Sequence, residues 1–362
     1  MKNLLILGYY GFENSGDDAI LIAITNTAKR IDKDIKITVL SNKPEQTKKL
    51  YGVNSVYRFN PYSIFKAVLK CDILLCGGGT LLQDGTSTRS LMYYLGVINL
   101  ANKLNKKVIL YSNGIGPIFK EKNITMTRKI VNKVSVITLR DESSKEYLEK
   151  IGVHHPKMLV TADPAFGLEL VKKEKYKHIF DKNNIPMDKE LFGVSVRGWK
   201  NKDGYYVEKI AKICDYIIEH KNMNVVFLNM HHEHDKTISD KIIEKVKHRT
   251  YMIEDKLAAF EMLGVIANFK AMISMRLHGI IFASKQRVPV AGLIYDPKVD
   301  YCLNTLKLPA IGSVDEIDID KAIVIINNLI DNNDECIRKL DNIVIELEKK
   351  EMINGEELKK LI

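Results

Sequence analysis

The sequence predicts an α/β protein built from two doubly wound domains that face each other across a cleft. Three observations carry this. Short, wholly apolar runs alternate with longer periodic stretches from end to end. The alternation pauses once, over a lysine-rich polar stretch, and then restarts. A chain of 362 residues is also long enough for two ordinary domains.

The first set of apolar runs covers residues 4–7, 35–40, 73–76, 108–111 and 134–139. Apolar runs without polar alternation are the mark of parallel strands buried on both faces. Between them, stretches such as 17–31 and 89–104 are long and periodic enough for helices. Strand-helix alternation of this kind builds doubly wound sheets. The pause ends the first domain, assigned to residues 1–168, and residues 169–190 read as an interdomain connection with a short helix. Runs at 192–197, 225–229, 271–275 and 288–294 then form the strands of a second domain, assigned to residues 191–362. Its last part, 320–362, is charged, apolar-periodic and helical. No internal repeat or low-complexity segment occurs.

In open parallel sheets, ligands sit outside the carboxyl ends of the strands. The unusual residues of this chain fall there. After the first strand comes GYYGFENSGDD, residues 8–18, where Ser15 or Asp17 is a candidate helix cap and Asn14 a candidate ligand contact. Its glycine spacing is not that of the dinucleotide fingerprint, and a well-capped strand-to-helix turn is the competing reading. After the third apolar run comes CGGGTLLQD, residues 76–84. Three glycines allow close backbone approach, and Gln83 and Asp84 offer hydrogen bonds to sugar hydroxyls. Tight packing against a neighbouring turn explains the glycines equally well. Residues 112–117, SNGIGP, form a similar and weaker turn.

In the second domain, Arg197 ends the first strand, within SVRGW. A guanidinium fork there suits a carboxylate or a phosphate, and a surface salt bridge is the alternative. In ISMRLHG, residues 273–279, Arg276 and His278 are two apart, which on extended backbone points both the same way. The following helix is assigned to 280–285, so His278 sits near an N-terminus that attracts anions. Arginine, histidine and helix end together make an anion site with a proton donor, and a histidine that only packs between strand and helix is the bland reading. The run HHEHD, 231–235, resembles metal bait, but adjacent residues of one loop cannot all reach one ion. No metal is assigned, and His231 or His232 is taken as a contact at the cleft rim.

Composition narrows the class. Nearly half the residues are hydrophobic (46%), and no charge-free apolar run is long enough to span a membrane. The short apolar run in MKNLLILGYYGF reads as a first strand and not as a secretion signal. Five cysteines at irregular spacing, without a CxxC pair, fit reduced thiols in a cytoplasm. Against 45 acidic residues stand 55 basic ones, for a net charge of +10. No basic arm or recognition motif points to nucleic acid. An anionic substrate, a peripheral visit to an anionic membrane surface, or a plain lysine-rich surface each accounts for the surplus.

The opening GYYGFENSGDDAI, the CGGGTLLQD turn, SVR and SMRLHGIIFASKQRVPV together resemble the polysaccharide pyruvyl transferase family, and most closely its bacterial secondary cell-wall polymer branch. The resemblance runs over nearly the whole chain and rests on the motifs in this order. It implies a GT-B-like fold and transfer of a pyruvyl group from phosphoenolpyruvate, as a ketal, to a lipid-linked or polymer glycan. In that branch the acceptor is a β-linked N-acetylmannosamine, and the ketal anchors S-layer proteins. It further implies that Arg197, Arg276 and Leu277 line the phosphoenolpyruvate pocket and that His278 is the general acid. Phosphoenolpyruvate is a co-substrate, so no cofactor is implied. Asn14, Gln83, Asp84 and His231 are assigned to the acceptor by position alone. The implied location is the cytoplasmic side of a membrane, where lipid-linked precursors are assembled. Two other readings remain: a GT-B glycosyltransferase using a nucleotide sugar, and a non-enzymatic basic scaffold for an anionic polymer.

Overall fold

The computed structural model describes residues 1–85, 87–199 and 203–362. It divides into two compact units, Met1–Leu168 with Glu346–Ile362, and Glu169–Ile345. The sheet of the first unit contains β1 (Asn3–Tyr10), β2 (Lys36–Ser41), β3 (Asn54–Tyr57), β4 (Ile73–Gly77), β5 (Lys107–Asn113), β6 (Val136–Leu139) and β7 (Met158–Val160). All described pairs are parallel, in the order β3-β2-β1-β4-β5-β6-β7. Strand order therefore reverses between β1 and β4, and the two glycine-rich turns follow these two strands.

The sheet of the second unit contains β8 (Leu191–Ser195), β9 (Asn224–Phe227), β10 (Tyr251–Met252), β11 (Phe269–Ser274), β12 (Val290–Ile294) and β13 (Ala310–Ser313). These too are parallel, in the order β10-β9-β8-β11-β12-β13. Here the order reverses between β8 and β11. The side chains of β8 are fully sequestered, as are those of β4, which is what a strand covered by helices on both faces requires.

The sequence-assigned boundaries differ from this division at two places. Residues 169–190, read as a connection, group with the second unit. The reason is burial: Ile179 and Phe180 are sequestered, and Phe180 meets Phe269 of β11 edge-on with ring centroids 6.4 Å apart. Residues 346–362, assigned to the second domain, group with the first. Leu358 and Leu361 enter the core formed by Leu4, Ile6 and Ile20. Asn354 accepts from the Thr161 hydroxyl at 2.9 Å and donates to the Ala162 carbonyl at 3.2 Å.

In the first unit, Asn14 caps the helix Ser15–Ile31, accepting from the Gly16 N–H at 3.1 Å. Ser15 and Asp17, the sequence candidates, do not cap it, because the helix begins at Ser15 itself and an N-cap must precede the first helical residue. In the CGGGT turn, Gly78 and Gly79 have φ of 51° and 66°, a region costly for other residues. A Cβ at Gly77 would lie 2.6 Å from the Tyr10 hydroxyl.

Candidate active site

The second unit gathers its polar residues at the carboxyl edge of its sheet, around the point where strand order reverses. Ser195 and Ser274 are register partners on β8 and β11, and the Met275 N–H donates to the Ser195 carbonyl at 2.7 Å. Arg197 and Arg276 each lie two residues beyond these partners. Neighbouring strands are about 4.8 Å apart, so the register places Arg197 and Arg276 just beyond adjacent strand ends, at the edge of the sheet where doubly wound folds bind ligands.

Arg197 is held from three sides. Its guanidinium lies over the rings of Trp199 (5.3 Å) and Tyr295 (4.9 Å), which pack edge-on against each other. Nη1 donates to the Tyr295 hydroxyl at 3.2 Å, and the Arg197 carbonyl accepts from the Tyr206 hydroxyl at 2.7 Å. Nε is buried with no hydrogen-bond partner among the described residues, and no described carboxylate pairs with the group. Its charge is stabilised by aromatic faces and left uncancelled, which is the state a cation for an anionic ligand needs.

Arg276 is held differently. Its Nε donates to Asp235 Oδ2 at 2.9 Å, and Nη2 donates to Oδ1 of the same carboxylate. Asp235 is fully buried and also accepts from the His231 N–H at 2.9 Å. The Ser274 hydroxyl donates to the Arg276 carbonyl at 2.8 Å and accepts from the Arg276 N–H at 3.1 Å. The carboxylate occupies one edge of the guanidinium, so Nη1 keeps its two N–H donors for a ligand.

His278 lies in the first turn of the helix Leu277–Lys285, three residues earlier than the helix assigned from sequence. The extended i, i+2 relation between Arg276 and His278 is therefore replaced by a helix start at Leu277, with Arg276 as an N-cap that makes no side-chain capping bond. The Arg276 side chain does not cap this turn, and the helix dipole there favours a negative group. The His278 ring lies 6.0 Å from that of Phe282. Leu277 is almost completely buried. Gly279 is required here, because a Cβ would come within 2.3 Å of Ser274 Oγ, the atom that fixes the Arg276 backbone.

His231, assigned from sequence to the acceptor, belongs to the second unit and joins this cluster. Its ring is 4.4 Å from that of His234, and Nδ1 is buried without a described hydrogen-bond partner. Burial, then His234 and Arg276, push its pKa below the ordinary imidazole value, so the neutral form is favoured. The side chain of His232 lies outside the described residues. Among the described residues no group of three or more His, Cys, Asp or Glu is placed to hold a metal.

Asn14, Gln83 and Asp84 belong to the first unit. The Asn14 side chain is engaged as a helix cap. Asp84 accepts from the Phe119 N–H at 2.8 Å and from Asn123 Nδ2 at 2.7 Å. Burial alone would raise its pKa, but these donors outweigh it and hold the carboxyl below the usual range. Asp84 thus pins the loop before the helix Glu121–Val131. Gln83 is half-buried in the same turn. Sequence reasoning missed Asp235, Trp199 and Tyr295 as parts of the arginine site. Asp235 was visible only as the end of HHEHD, and no local pattern ties it to an arginine 41 positions away.

A profile of the family described as "Polysaccharide pyruvyl transferase" matches residues 14–297, which include both arginines, Leu277 and His278. The amylovoran biosynthesis protein AmsJ of Erwinia amylovora is 25% identical over 250 residues, 64% of this chain and 59% of that protein. The chain thus spans less than two thirds of that relative's length. Among solved structures, MnaA of S. aureus in complex with UDP has a TM-score of 0.69 at 14% identity, covering 99% of this chain and 95% of that one. UDP-GlcNAc 2-epimerase of Neisseria meningitidis has a TM-score of 0.67 at 16% identity, covering 99% and 100%. A glycosyltransferase of Rickettsia africae has a TM-score of 0.64 at 13% identity, covering 99% and 97%. At such identities the likeness establishes the fold, two parallel α/β units of the GT-B type, and leaves ligands undetermined.

Proposed function

Since the chain belongs to the polysaccharide pyruvyl transferase family, we propose that it is an enzyme moving the pyruvyl group of phosphoenolpyruvate onto two hydroxyls of a glycan, with β-linked N-acetylmannosamine of a lipid-linked cell-wall precursor as acceptor. One observation supports the donor most: two arginines on register-paired strand ends, one with an uncancelled charge and the other aimed by a buried carboxylate, beside an uncapped helix start. Phosphoenolpyruvate carries a carboxylate and a phosphate on adjacent atoms, and two guanidinium forks with a helix N-terminus are suited to both.

The reaction needs no enzyme nucleophile. His278 protonates the methylene carbon of the donor, which becomes a methyl group and leaves C2 electrophilic. The two sugar hydroxyl oxygens form bonds to C2, and the bond from C2 to the phosphate oxygen breaks. Of the two hydroxyl protons released, one replaces the proton given by His278 and the other leaves with the phosphate. The arginines hold the donor and stabilise the departing phosphate, and Leu277 walls the pocket. A placed proton donor contributes roughly two to four orders of magnitude in rate.

The test is incubation with phosphoenolpyruvate and a synthetic lipid-diphosphate disaccharide containing N-acetylmannosamine. Phosphate release with a matching mass gain on the sugar is expected. In His278→Ala, donor binding should persist while turnover falls by about a hundredfold or more. Near-normal turnover in that variant would remove His278 from the acid role. Transfer from a nucleotide sugar in place of phosphoenolpyruvate would favour the glycosyltransferase reading.

A further inference from the structure

The helix Pro61–Lys70 of the first unit is apolar on both sides. Ile64 and Ala67 pack on the core, where Val68 is fully buried. On the opposite face stand Tyr62, Phe65 and Leu69, at i, i+3 and i+7, with exposures of 65%, 44% and 51%. A contiguous exposed apolar face marks an interaction site. Nearby in sequence, Leu50, Tyr57 and Phe59 are also exposed.

The charge around this face is mainly basic, and the exposed Glu45 just before it in sequence pairs with Lys48 at 2.6 Å. Residues 46–71 contain no aspartate or glutamate. Lys48, Lys49, Lys66 and Lys70 within that span are all exposed. Lys66 Nζ sits 4.3 Å from the Tyr62 ring centroid, on the apolar face itself. Asp72, just beyond the helix, is drawn away, accepting from the Asn3 N–H at 2.8 Å. Aromatic and leucine side chains framed by lysines fit the headgroup layer of an anionic bilayer, where rings sit at the acyl boundary and ammonium groups meet lipid phosphates. A second copy fits poorly, since an isologous contact would bring Lys66 and Lys70 against their own counterparts. Among the described residues no helix is long and apolar enough to cross a membrane, so contact through this face is peripheral.

We propose that the helix Pro61–Lys70 is a membrane-surface anchor that docks the first unit on an anionic bilayer. The helix starts beyond the carboxyl end of β3, the edge of the first sheet that also carries the two glycine-rich turns. Docking there serves a lipid-linked acceptor, and only this clause rests on the pyruvyl-transfer reading.

The test is co-sedimentation of the full chain with phosphatidylcholine vesicles, with and without phosphatidylglycerol. The unaltered protein should partition to the anionic vesicles at least tenfold better than to the neutral ones. Each lysine near an anionic surface contributes about a factor of five, so Lys66→Gln/Lys70→Gln should lose about tenfold or more. Tyr62→Ser/Phe65→Ser/Leu69→Ser should lose at least tenfold even at low salt, which a purely electrostatic attachment would not. Val324→Ser, at an exposed site of the second unit, should change nothing. Unaltered phosphoenolpyruvate binding and thermal unfolding in the variants would show that they fold and that the donor site is untouched. Failure of the unaltered protein to bind anionic vesicles, or equal binding by the triple serine variant, would overturn the proposal. So would a serine variant whose only change is loss of self-association or of binding to an acidic polymer.

Discussion

At the scale of single residues, the site depends on Asp235 as much as on the arginine it holds. Asp235→Asn separates charge from geometry. Removing a negative charge beside Arg276 would, by charge alone, strengthen binding of an anionic donor. Loss of the fork should instead let the guanidinium swing, raising the KM for phosphoenolpyruvate between about ten- and a hundredfold, with a smaller effect on kcat. A KM that falls would mean charge outweighs position. Breaking a buried pair from one side costs about 3 kcal/mol, so the unfolding midpoint should fall as well. His231 supplies a pH signature. Its pKa is lowered by burial, then by His234 and Arg276, so it enters the free site neutral. The stability this neutral form contributes is present above the ordinary imidazole value and is lost as pH falls. A bound dianion beside Arg276 should raise the same pKa, so binding takes up a proton and affinity should rise as pH falls below neutrality. Calorimetry in buffers of different ionisation enthalpy should show that uptake, and His231→Asn should abolish its share.

At the scale of elements, the turn from β11 into the helix Leu277–Lys285 is the most tightly specified. Gly279→Ala puts a methyl against Ser274 Oγ, and the hydroxyl cannot move without releasing the Arg276 backbone. The variant should lose about 1–3 kcal/mol of stability and lose donor affinity out of proportion to that. Unfolding midpoint and donor Kd, measured together, check this; a stable variant that binds normally would show the turn to be tolerant. The same scale shows what was readable beforehand. The central strands β1, β4, β5, β8 and β11 were legible because burial on both faces makes them continuous apolar runs. The strands missed, β3, β7, β10 and β13, are the four sheet edges. Edge strands are short and half-solvated, and sequences such as NSVY and AIGS carry no apolar signature. The helix start at Leu277 was missed because Arg276 is not a side-chain cap and leaves no capping residue to read.

At the scale of the whole chain, the last residues return to the unit that holds the first. Deleting 346–362 removes Leu358 and Leu361 from their core and the Asn354 bond from Thr161. At about 1.5–3 kcal/mol per buried leucine, this should destabilise the first unit by about 3–6 kcal/mol. Donor binding, proposed for the second unit, should be affected less. Differential scanning calorimetry with donor titration distinguishes the two, and a deletion that abolishes donor binding while leaving the melt unchanged would contradict this assignment. The two-unit organisation was legible because the alternation of apolar runs pauses once. The return of the C-terminal helix was not, because periodicity marks a helix but not the core it joins.

The central claim is that Arg197 and Arg276, presented by β8 and β11 where strand order reverses, form a clamp for phosphoenolpyruvate. Its most direct test is isothermal titration of the protein and of its Arg197→Gln and Arg276→Gln variants with phosphoenolpyruvate and, separately, with a UDP-sugar. The clamp predicts phosphoenolpyruvate binding that weakens at least about tenfold in each variant, as loss of a charge-assisted pair requires, and no comparable binding of the UDP-sugar. Binding of the UDP-sugar without phosphoenolpyruvate binding, or phosphoenolpyruvate affinity unchanged in both variants, would contradict it.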